Sequence, residues 1–262
     1  MTNKQYVLDI SGHNGEVDFE KVKAAGIYGV MLKCSEGKGY LAPKFKPNYE
    51  KALAAGLKVG AYHFLRSGWT TDAAKEGRWF GQCCEGLQLE LGLALDVEHE
   101  GCNWDAGRDG EPLRATDAYN VVNAFAQNVA KYGRPELYEG KKLLLYASKD
   151  YFSRFLTDSD LQAYPKWLAN PDKLDFDKPV QMVQYSWEGE VYGVEKAVDL
   201  NVRYDKGQKV DSAALRQEPG RFEAGFVPDK GPDADQSQPA GMVYRVTGTI
   251  GEAPVDLRVE KE

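Results

Sequence analysis

Two acids follow an apolar run in the stretch GLALDVEHEG, residues 92–101. Asp96 ends the run, and Glu98 comes two places later. Side chains at positions i and i+2 of a strand point to the same side, so both carboxyls should face one way, about 6.6 Å apart at the backbone. Like charges this close raise the pKa of one partner, so that one carboxyl holds a proton while the other stays ionised. The pair therefore predicts the acid and carboxylate roles that glycoside hydrolysis requires.

The position of these acids also fits other kinds of site. Clustered carboxylates can hold a metal ion, or they can form a structural acid network that caps the end of a barrel. His63 and His99 could take part in catalysis, although a structural role is favoured for each. The sequence has no Gly-x-Ser-x-Gly elbow and no HExxH motif, so it gives no support to a serine hydrolase or a zincin.

The elements that must position these acids alternate between strand and helix patterns. The first 216 residues read as five strand–helix units followed by three strands with little helix between them. Strands separated by helices pair in parallel through right-handed crossovers, and eight strands can close a barrel. We therefore predict an α/β fold, a modified TIM-like barrel of the (β/α)5(β)3 kind. An open doubly wound sheet is the alternative, but no GxGxxG follows the first strand.

The chemistry of a parallel barrel lies at the C-terminal ends of its strands. In this chain the predicted strand ends carry acids, aromatic residues and other polar residues: Asp9, Lys33, Ser35, Glu36, Tyr62, His63, Asp96, Glu98, Tyr146, Trp167, Gln184, Tyr185, Trp187, Asp199 and Asn201. Carboxylates from several strands should therefore meet at one mouth of the barrel, with aromatic side chains around them.

Composition limits the partners of the chain. The 262 residues carry a net charge of −7 without a Lys/Arg block, which argues against nucleic-acid and membrane-surface binding. No apolar run approaches the roughly 20 residues of a membrane helix. The start, MTNKQYVLDI, leads into a strand without a signal-peptide core, so we expect synthesis in a cytoplasm. The cysteines, Cys34, Cys83, Cys84 and Cys102, lack a CxxC pair and are expected to be reduced thiols.

The composition changes after Arg216. Residues 217–262 begin with a segment rich in Pro, Gly and Asp, typical of a linker, and end with two alternating runs around a turn. We predict a catalytic barrel in residues 1–216, and a linker with a β-hairpin in residues 217–262.

Seven segments, in order, resemble one known family, the glycoside hydrolase family 25 lysozymes, which are Chalaropsis-type muramidases common among phage endolysins and bacterial wall hydrolases. Each segment alone is weak, but the ordered set with Asp-x-Glu after strand four is specific. The segments span roughly residues 5–205 and read VLDISGHNGEVDF, GVMLKCSEGKGYLAPKFKPNYEKALAAGLKVGAYHFLR, LALDVE, LLLYAS, WLA, VQYSW and VDLN.

The resemblance implies a fold, an activity and roles for named acids. It implies a barrel of five βα units and three further strands, and hydrolysis of the β-1,4 bond between N-acetylmuramic acid and N-acetylglucosamine in peptidoglycan. By the same resemblance, Glu98 is the general acid, and Asp96 assists the substrate's acetamido group or stabilises the oxocarbenium ion. Asp9 and Asp199 match the two remaining family acids. Tyr62 matches a tyrosine that lines the sugar site, and no metal or organic cofactor is implied.

From these pieces we expect a retaining muramidase that binds glycan across the barrel mouth. The expected substrate-binding residues are Tyr62, Lys33, Glu36, Tyr146, Trp167, Gln184, Tyr185 and Trp187. The expected partner is bacterial peptidoglycan. We expect the protein to be a monomer that acts on the wall after release from the cytoplasm. A glycan-binding module without turnover and a metal-dependent deacetylase are the rival interpretations.

The chain departs from the family pattern at two points. The loop after Glu98 is long and carries Trp104, and the C-terminal hairpin does not match wall-binding repeats.

Overall fold

The computed structural model of the chain describes residues 4–98, 113–139, 143–225, 244–250 and 253–259. The strands are β1 (Gln5–Ile10), β2 (Gly29–Glu36), β3 (Tyr40–Leu41), β4 (Lys58–Phe64), β5 (Gly92–Asp96), β6 (Leu144–Ser148), β7 (Lys166–Ala169), β8 (Val180–Val191), β9 (Val198–Gln208), β10 (Arg221–Phe222), β11 (Tyr244–Ile250) and β12 (Ala253–Val259). The helices are α1 (Phe19–Ala24), α2 (Phe45–Ala54), α3 (Thr70–Cys84), α4 (Ala115–Tyr132), α5 (Glu136–Glu139), α6 (Lys149–Arg154), α7 (Ser159–Gln162) and α8 (Ser212–Leu215).

Eight of these strands close a barrel, in the order β1-β2-β4-β5-β6-β7-β8-β9 and back to β1. The first seven barrel strands, from β1 through β2 and β4 to β8, run parallel to one another, whereas β9 runs antiparallel to both β8 and β1. The short strands β3 and β10 pair with β2 and β8. This closure confirms the predicted α/β barrel and excludes the open sheet.

Helices follow the first five barrel strands, as the sequence predicts. Asp18 caps α1 by accepting a hydrogen bond from the backbone N–H of Lys21 at 3.2 Å. Gly26, with a φ of +81°, then turns the chain towards β2. In the described residues beyond β7 only one-turn helices occur, so that part of the barrel has little helical cover. Among the described residues, no helix has both the length and the apolarity that crossing a membrane requires.

The barrel interior is a packed floor beneath the mouth. Alternate residues of each strand point inward, and the inward apolar set forms a small core cluster that consists of Val7, Met31, Tyr62, Leu91, Ala94, Leu144, Tyr146, Trp167 and Met182. The residues between them point outward into a larger core under the helices. The polar side chains at the mouth therefore rest on a rigid aromatic layer.

Helices α3 and α4 approach each other closely at two glycines. A Cβ atom on Gly77 would lie 2.2 Å from the carbonyl oxygen of Phe125, and one on Gly81 would lie 2.8 Å from that of Val129. Any side chain at these positions would force the helices apart.

Strands β11 and β12 form an antiparallel hairpin, as predicted, and belong to a compact unit separate from residues 4–228. The described chain beyond residue 216 still contacts the barrel, because β10 pairs with β8. The predicted domain boundary at residue 216 therefore remains a prediction.

Candidate active site

Four carboxyl groups converge on the barrel mouth. Asp9 and Asp199 face each other across the β1–β9 pair, and Asp96 ends β5. Glu98 lies two residues beyond Asp96, where its charge adds to the burial that raises the pKa of Asp96, Asp199 and Tyr62. The sequence prediction that these acids share one mouth agrees with their positions, whereas their catalytic roles stay predictions.

The route by which Asp199 reaches the mouth differs from the prediction. The sequence predicts Asp199 at the C-terminal end of a parallel strand, but it is the second residue of β9, near that strand's start. Because β9 runs against its neighbours, its beginning lies at the same end of the barrel as the ends of β1 and β8.

Asp96 is the deeply buried member of the Asp96–Glu98 pair. It is 6% exposed, and its Oδ1 atom is buried without a hydrogen-bond partner among the described residues. Burial raises the pKa of Asp96 well above its usual range, and the charges of Glu98 and Asp9 raise it further. A raised pKa within this pair agrees with the spacing argument, but it falls on Asp96, whereas the proton donor implied by the family resemblance is Glu98.

Asp9 and Asp199 form a second carboxyl pair and are hydrogen-bonded to each other. Burial, together with the charge of Asp9 and the hydrogen bond to it, raises the pKa of Asp199 to about 8. Burial also raises the pKa of Asp9, but hydrogen bonds from Asn201, Gln184 and Asp199 favour its ionised form. We therefore assign the proton of this pair to Asp199 and the charge to Asp9.

Three aromatic rings support the acids from below. Trp167 packs edge-on against Tyr62, with ring centroids 6.2 Å apart, and against Tyr146 at 4.8 Å. Burial, followed by the charges of the acids, raises the pKa of both tyrosines, so their hydroxyls stay neutral. Trp167 is 2% exposed, which corrects its assignment as a sugar contact, because a ring inside the floor has almost no surface to offer.

A cationic cluster borders the mouth beside β4. Lys33 Nζ lies 2.6 Å from one oxygen of Glu36, and Arg66 binds the other oxygen through its Nε at 2.7 Å. The ring of Phe64 lies between them, 4.9 Å from each cationic group. Although burial raises it, these two ionic contacts lower the pKa of Glu36 overall.

An irregularity in β2 explains how Lys33 and Glu36, three residues apart, reach the same cluster. The β2–β4 register shifts between Lys33 and Ser35, which reverses the alternation of side chains beyond that point. Sequence reasoning missed Arg66. Its position could have indicated it. Arg66 lies two residues beyond Phe64, the last residue of β4, just as Glu98 lies two residues beyond Asp96, the last residue of β5.

Two neighbouring residues of β8 point to opposite sides of the barrel wall. Gln184 points into the barrel and donates to Asp9 and Asp199. Tyr185 points outward into the larger core, where its hydroxyl donates to the carbonyl of Pro219 at 2.8 Å. The assignment of Tyr185 to the substrate site is therefore wrong, because strand alternation allows only one of the two adjacent residues to face the mouth.

Trp187 returns to the mouth because the pairing of β8 with β9 shifts on both sides of Ser186. Its indole N–H donates to Gln184 Oε1 at 3.1 Å, while 56% of the residue remains exposed. Of the aromatic residues predicted to bind sugar, Trp187 offers the exposed ring.

His63 has a structural environment. It is fully buried on the outer side of the barrel, with Nδ1 2.8 Å from Ser35 Oγ and Nε2 2.9 Å from Glu76 Oε2. Burial lowers its pKa despite the Glu76 carboxylate. The neighbouring thiols of Cys34, Cys83 and Cys84 are free, as expected, whereas His99, Cys102 and Trp104 lie outside the described residues.

Within the described ranges, no group of three or more His, Cys, Asp or Glu side chains has the arrangement of a metal site. A cavity of about 320 Å³ lies between the chain that follows β1 and the loop that follows β2, and none of the four acids is among its lining residues. Its lining includes Ser11, His13, Lys33 and Tyr40.

Comparison with known proteins gives a family match over most of this barrel. The family described as glycosyl hydrolases family 25 matches residues 8–194. The chain is 29% identical over 196 residues to an autolytic lysozyme of Clostridium acetobutylicum, covering 74% of this chain and 54% of that protein. It is 33% identical over 204 residues to lysozyme M1 of Streptomyces globisporus, covering 74% and 66%.

A solved structure has the same fold. The modular autolysin LytC from Streptococcus pneumoniae, in complex with a synthetic peptidoglycan ligand, superposes with a TM-score of 0.66 at 19% identity, covering 77% of this chain and 47% of that one. The present chain thus spans about half the length of LytC and of the Clostridium protein.

Proposed function

Because this chain belongs to glycosyl hydrolases family 25, we propose that it is a lysozyme that hydrolyses bacterial peptidoglycan. The bond cut is the β-1,4 linkage from N-acetylmuramic acid to N-acetylglucosamine, and the anomeric configuration is retained. The observation that carries the proposal is the meeting of Asp9, Asp96, Glu98 and Asp199 at one mouth, with Asp96 Oδ1 buried and without a described partner. The names of the relatives support this activity.

The glycan lies across the mouth, with the exposed ring of Trp187 against the apolar face of a sugar. The floor of Tyr62, Tyr146 and Trp167 excludes water from below. The muramic acid ring is thereby held over Asp96. Binding in this orientation places the acetamido oxygen for attack on the anomeric carbon of the same sugar, so that less ordering is needed when the bond breaks.

The unpartnered oxygen of Asp96 accepts the N–H of the substrate's acetamido group. This hydrogen bond favours the ionised carboxylate and so opposes the burial that raises the pKa of Asp96. The proton of the Asp96–Glu98 pair then moves to Glu98, the more exposed member. Substrate binding therefore prepares the acid at the atom that must donate.

Glu98 gives this proton to the glycosidic oxygen as the C–O bond breaks. The acetamido carbonyl oxygen bonds to the anomeric carbon from the opposite face, and Asp96 stabilises the positive charge. Water then attacks that carbon, passes a proton to the Glu98 carboxylate and restores the acetamide. Two inversions give net retention without a metal or organic cofactor.

The test is digestion of purified peptidoglycan by the full-length chain, followed by borohydride reduction and mass spectrometry. We expect new reducing ends on muramic acid and an early product of β configuration by NMR. Glu98→Gln should lower the rate by at least about 100-fold, since it removes the general acid, while Glu90→Gln, at the opposite end of β5, should keep the wild-type rate.

Each rival predicts a different result. New reducing ends on glucosamine, an unchanged rate in Glu98→Gln, or an inverted product would contradict the proposal. A binding module would release no reducing ends at all. A deacetylase would release acetate and lose its activity in EDTA.

A further inference from the structure

Gln184 uses its entire hydrogen-bonding capacity inside the protein. Its Nε2 donates to Asp9 Oδ2 and to Asp199 Oδ2, each at 3.0 Å. Its Oε1 accepts from the hydroxyl of Tyr146 at 2.9 Å and from the indole N–H of Trp187 at 3.1 Å. A primary amide has two N–H donors and two oxygen lone pairs, so none is left for a sugar. Gln184 is also 1% exposed, and its assignment as a substrate-binding residue is therefore corrected.

The orientation of this amide is fixed by chemistry. An indole N–H can only donate, so the atom of Gln184 that faces Trp187 must be the oxygen. The nitrogen must then face the two acids. A reversed amide would set its N–H groups against Trp187 and turn its oxygen towards the charged Asp9.

Asn201 repeats the arrangement on the other side of Asp9. Its Oδ1 accepts from the indole N–H of Trp167 at 2.7 Å, and its Nδ2 donates to Asp9 Oδ2 at 3.1 Å. Asp9 is thus held by two amides, each oriented by a tryptophan. The difference lies in exposure, because Trp167 is buried in the floor whereas most of Trp187 lies open at the rim.

We propose that Gln184 is a positioning residue through which the rim tryptophan, Trp187, sets the geometry and charge of the Asp9–Asp199 pair. This inference rests on the proposed function. The ring face of Trp187 serves the glycan, and its N–H serves the acids through Gln184. Sugar bound on the ring restricts the indole and thereby keeps the amide nitrogen on both carboxyls.

The direction of the electrostatic effect follows from the same bonds. Burial raises the pKa of Asp9, and the hydrogen bonds from Asn201 and Gln184 oppose that rise. Loss or reversal of the Gln184 amide therefore raises the pKa of Asp9, which moves the acidic limb of the pH–rate profile to higher pH.

The experiment is a mutant cycle on the full-length chain with soluble peptidoglycan oligosaccharides. Trp187→Phe keeps an aromatic face but removes the N–H, and Tyr146→Phe removes the other donor to Oε1. Each single variant leaves one donor to hold the amide, so we expect kcat to fall less than about 3-fold. The double variant frees the amide to reverse, and kcat should fall at least about 10-fold beyond the product of the single effects, with the acidic limb shifted upward.

Gln184→Met removes the amide itself. It should reproduce the loss of kcat and the upward shift of the acidic limb that we expect for the double variant. In the Gln184→Met background, Trp187→Phe should change KM but cause no further loss of kcat. Trp69→Phe, at another exposed tryptophan, should leave the pH profile unmoved. Thermal unfolding of each variant verifies that the fold is retained.

The inference is overturned if the single effects simply multiply, if the pH profiles coincide with that of the wild type, or if Trp187→Phe lowers kcat equally in the Gln184→Met background. Any of these results can occur while the wild type still cuts at muramic acid, in which case the proposed function stands. A wild-type chain that releases no reducing ends would instead defeat the proposed function itself.

Discussion

At Asp96 and Asp199, burial and neighbouring charge act in the same direction on a carboxyl proton. Each of these acids has an acidic neighbour, Glu98 for the first and Asp9 for the second, and each has a raised pKa. Such paired acids lower the free energy of unfolding, because the folded chain holds protons that the unfolded chain would release.

Asp199→Asn should stabilise the protein by an amount that depends on pH. The folded pKa of Asp199, about 8, exceeds the ordinary value of 3.8, so the unfolding free energy of the wild type falls as pH rises between these values. Asparagine cannot ionise and can still donate to Asp9. With allowance for solvent screening, we expect a gain at pH 8 of at least about 1 kcal/mol, or about 2–4 °C in Tm.

Thermal unfolding at pH 4 and pH 8 measures this gain. The Tm of Asp199→Asn should exceed that of the wild type by a small amount at pH 4 and by the largest amount at pH 8. Asp175→Asn, at an exposed acid, should show no such difference. An equal margin at both pH values would show that ionisation of Asp199 is not the cause.

The sequence predicted individual residues well where strand alternation alone decides. Asp96 and Glu98 follow from their spacing, and Asp9 follows from its place near the end of a strand. Gln184 and Tyr185 show the limit, because adjacent residues cannot both face the mouth and only the pairing partner decides which one does. Trp187 and Glu36 depend on register shifts, which leave no mark in hydrophobic periodicity.

At the scale of elements, the contact between α3 and α4 depends on small residues four positions apart. Gly77 and Gly81 let the backbones of the two helices meet, which brings α3 over the outer face of β4. There Glu76 accepts from His63 and from the backbone N–H of Arg66, so this helix also fixes the chain that leads to the Lys33–Glu36–Arg66 cluster.

Gly77→Ala tests that contact. Alanine favours helix over glycine by about 1 kcal/mol, but its Cβ would lie 2.2 Å from the carbonyl oxygen of Phe125. Separation of the helices should outweigh the propensity gain and cost about 2 kcal/mol net, a fall in Tm of about 4–8 °C.

Differential scanning calorimetry measures this fall. Lys75→Ala, on the exposed face of the same helix, should change Tm by less than about 2 °C, since exposed ion pairs contribute little. A Gly77→Ala variant as stable as the wild type would mean that the two helices can separate without loss.

The direction of β9 could not be predicted from the sequence, for a physical reason. Alternation of inward and outward residues is the same for a strand read from either end, so periodicity counts strands without orienting them. The five strand–helix units were predictable because helices of ordinary length force parallel crossovers. The last three strands carry no such constraint.

The whole molecule joins a closed barrel to a separate hairpin unit. Every described residue of the candidate site lies in residues 4–228, and the barrel closes without the hairpin. We propose that the barrel carries the fold and the chemistry by itself, and that the hairpin serves another purpose.

A chain ending at residue 228 tests this division. We expect its Tm to stay within about 2 °C of the full chain, less than the shift that 1 kcal/mol produces, and its kcat on soluble oligosaccharides to be unchanged. A chain ending at residue 197, which lacks β9, should fail to fold. A lower Tm or kcat in the chain ending at residue 228 would show that the barrel depends on the hairpin.

The reversed strand β9 also sets the point in synthesis at which the barrel can close. It pairs with β1, the first of the eight barrel strands in chain order, yet it is the last of the eight to be made. A nascent chain therefore carries an unclosed sheet and an Asp9 that lacks Asp199. The four acids of the proposed site therefore come together only once this last barrel strand is in place.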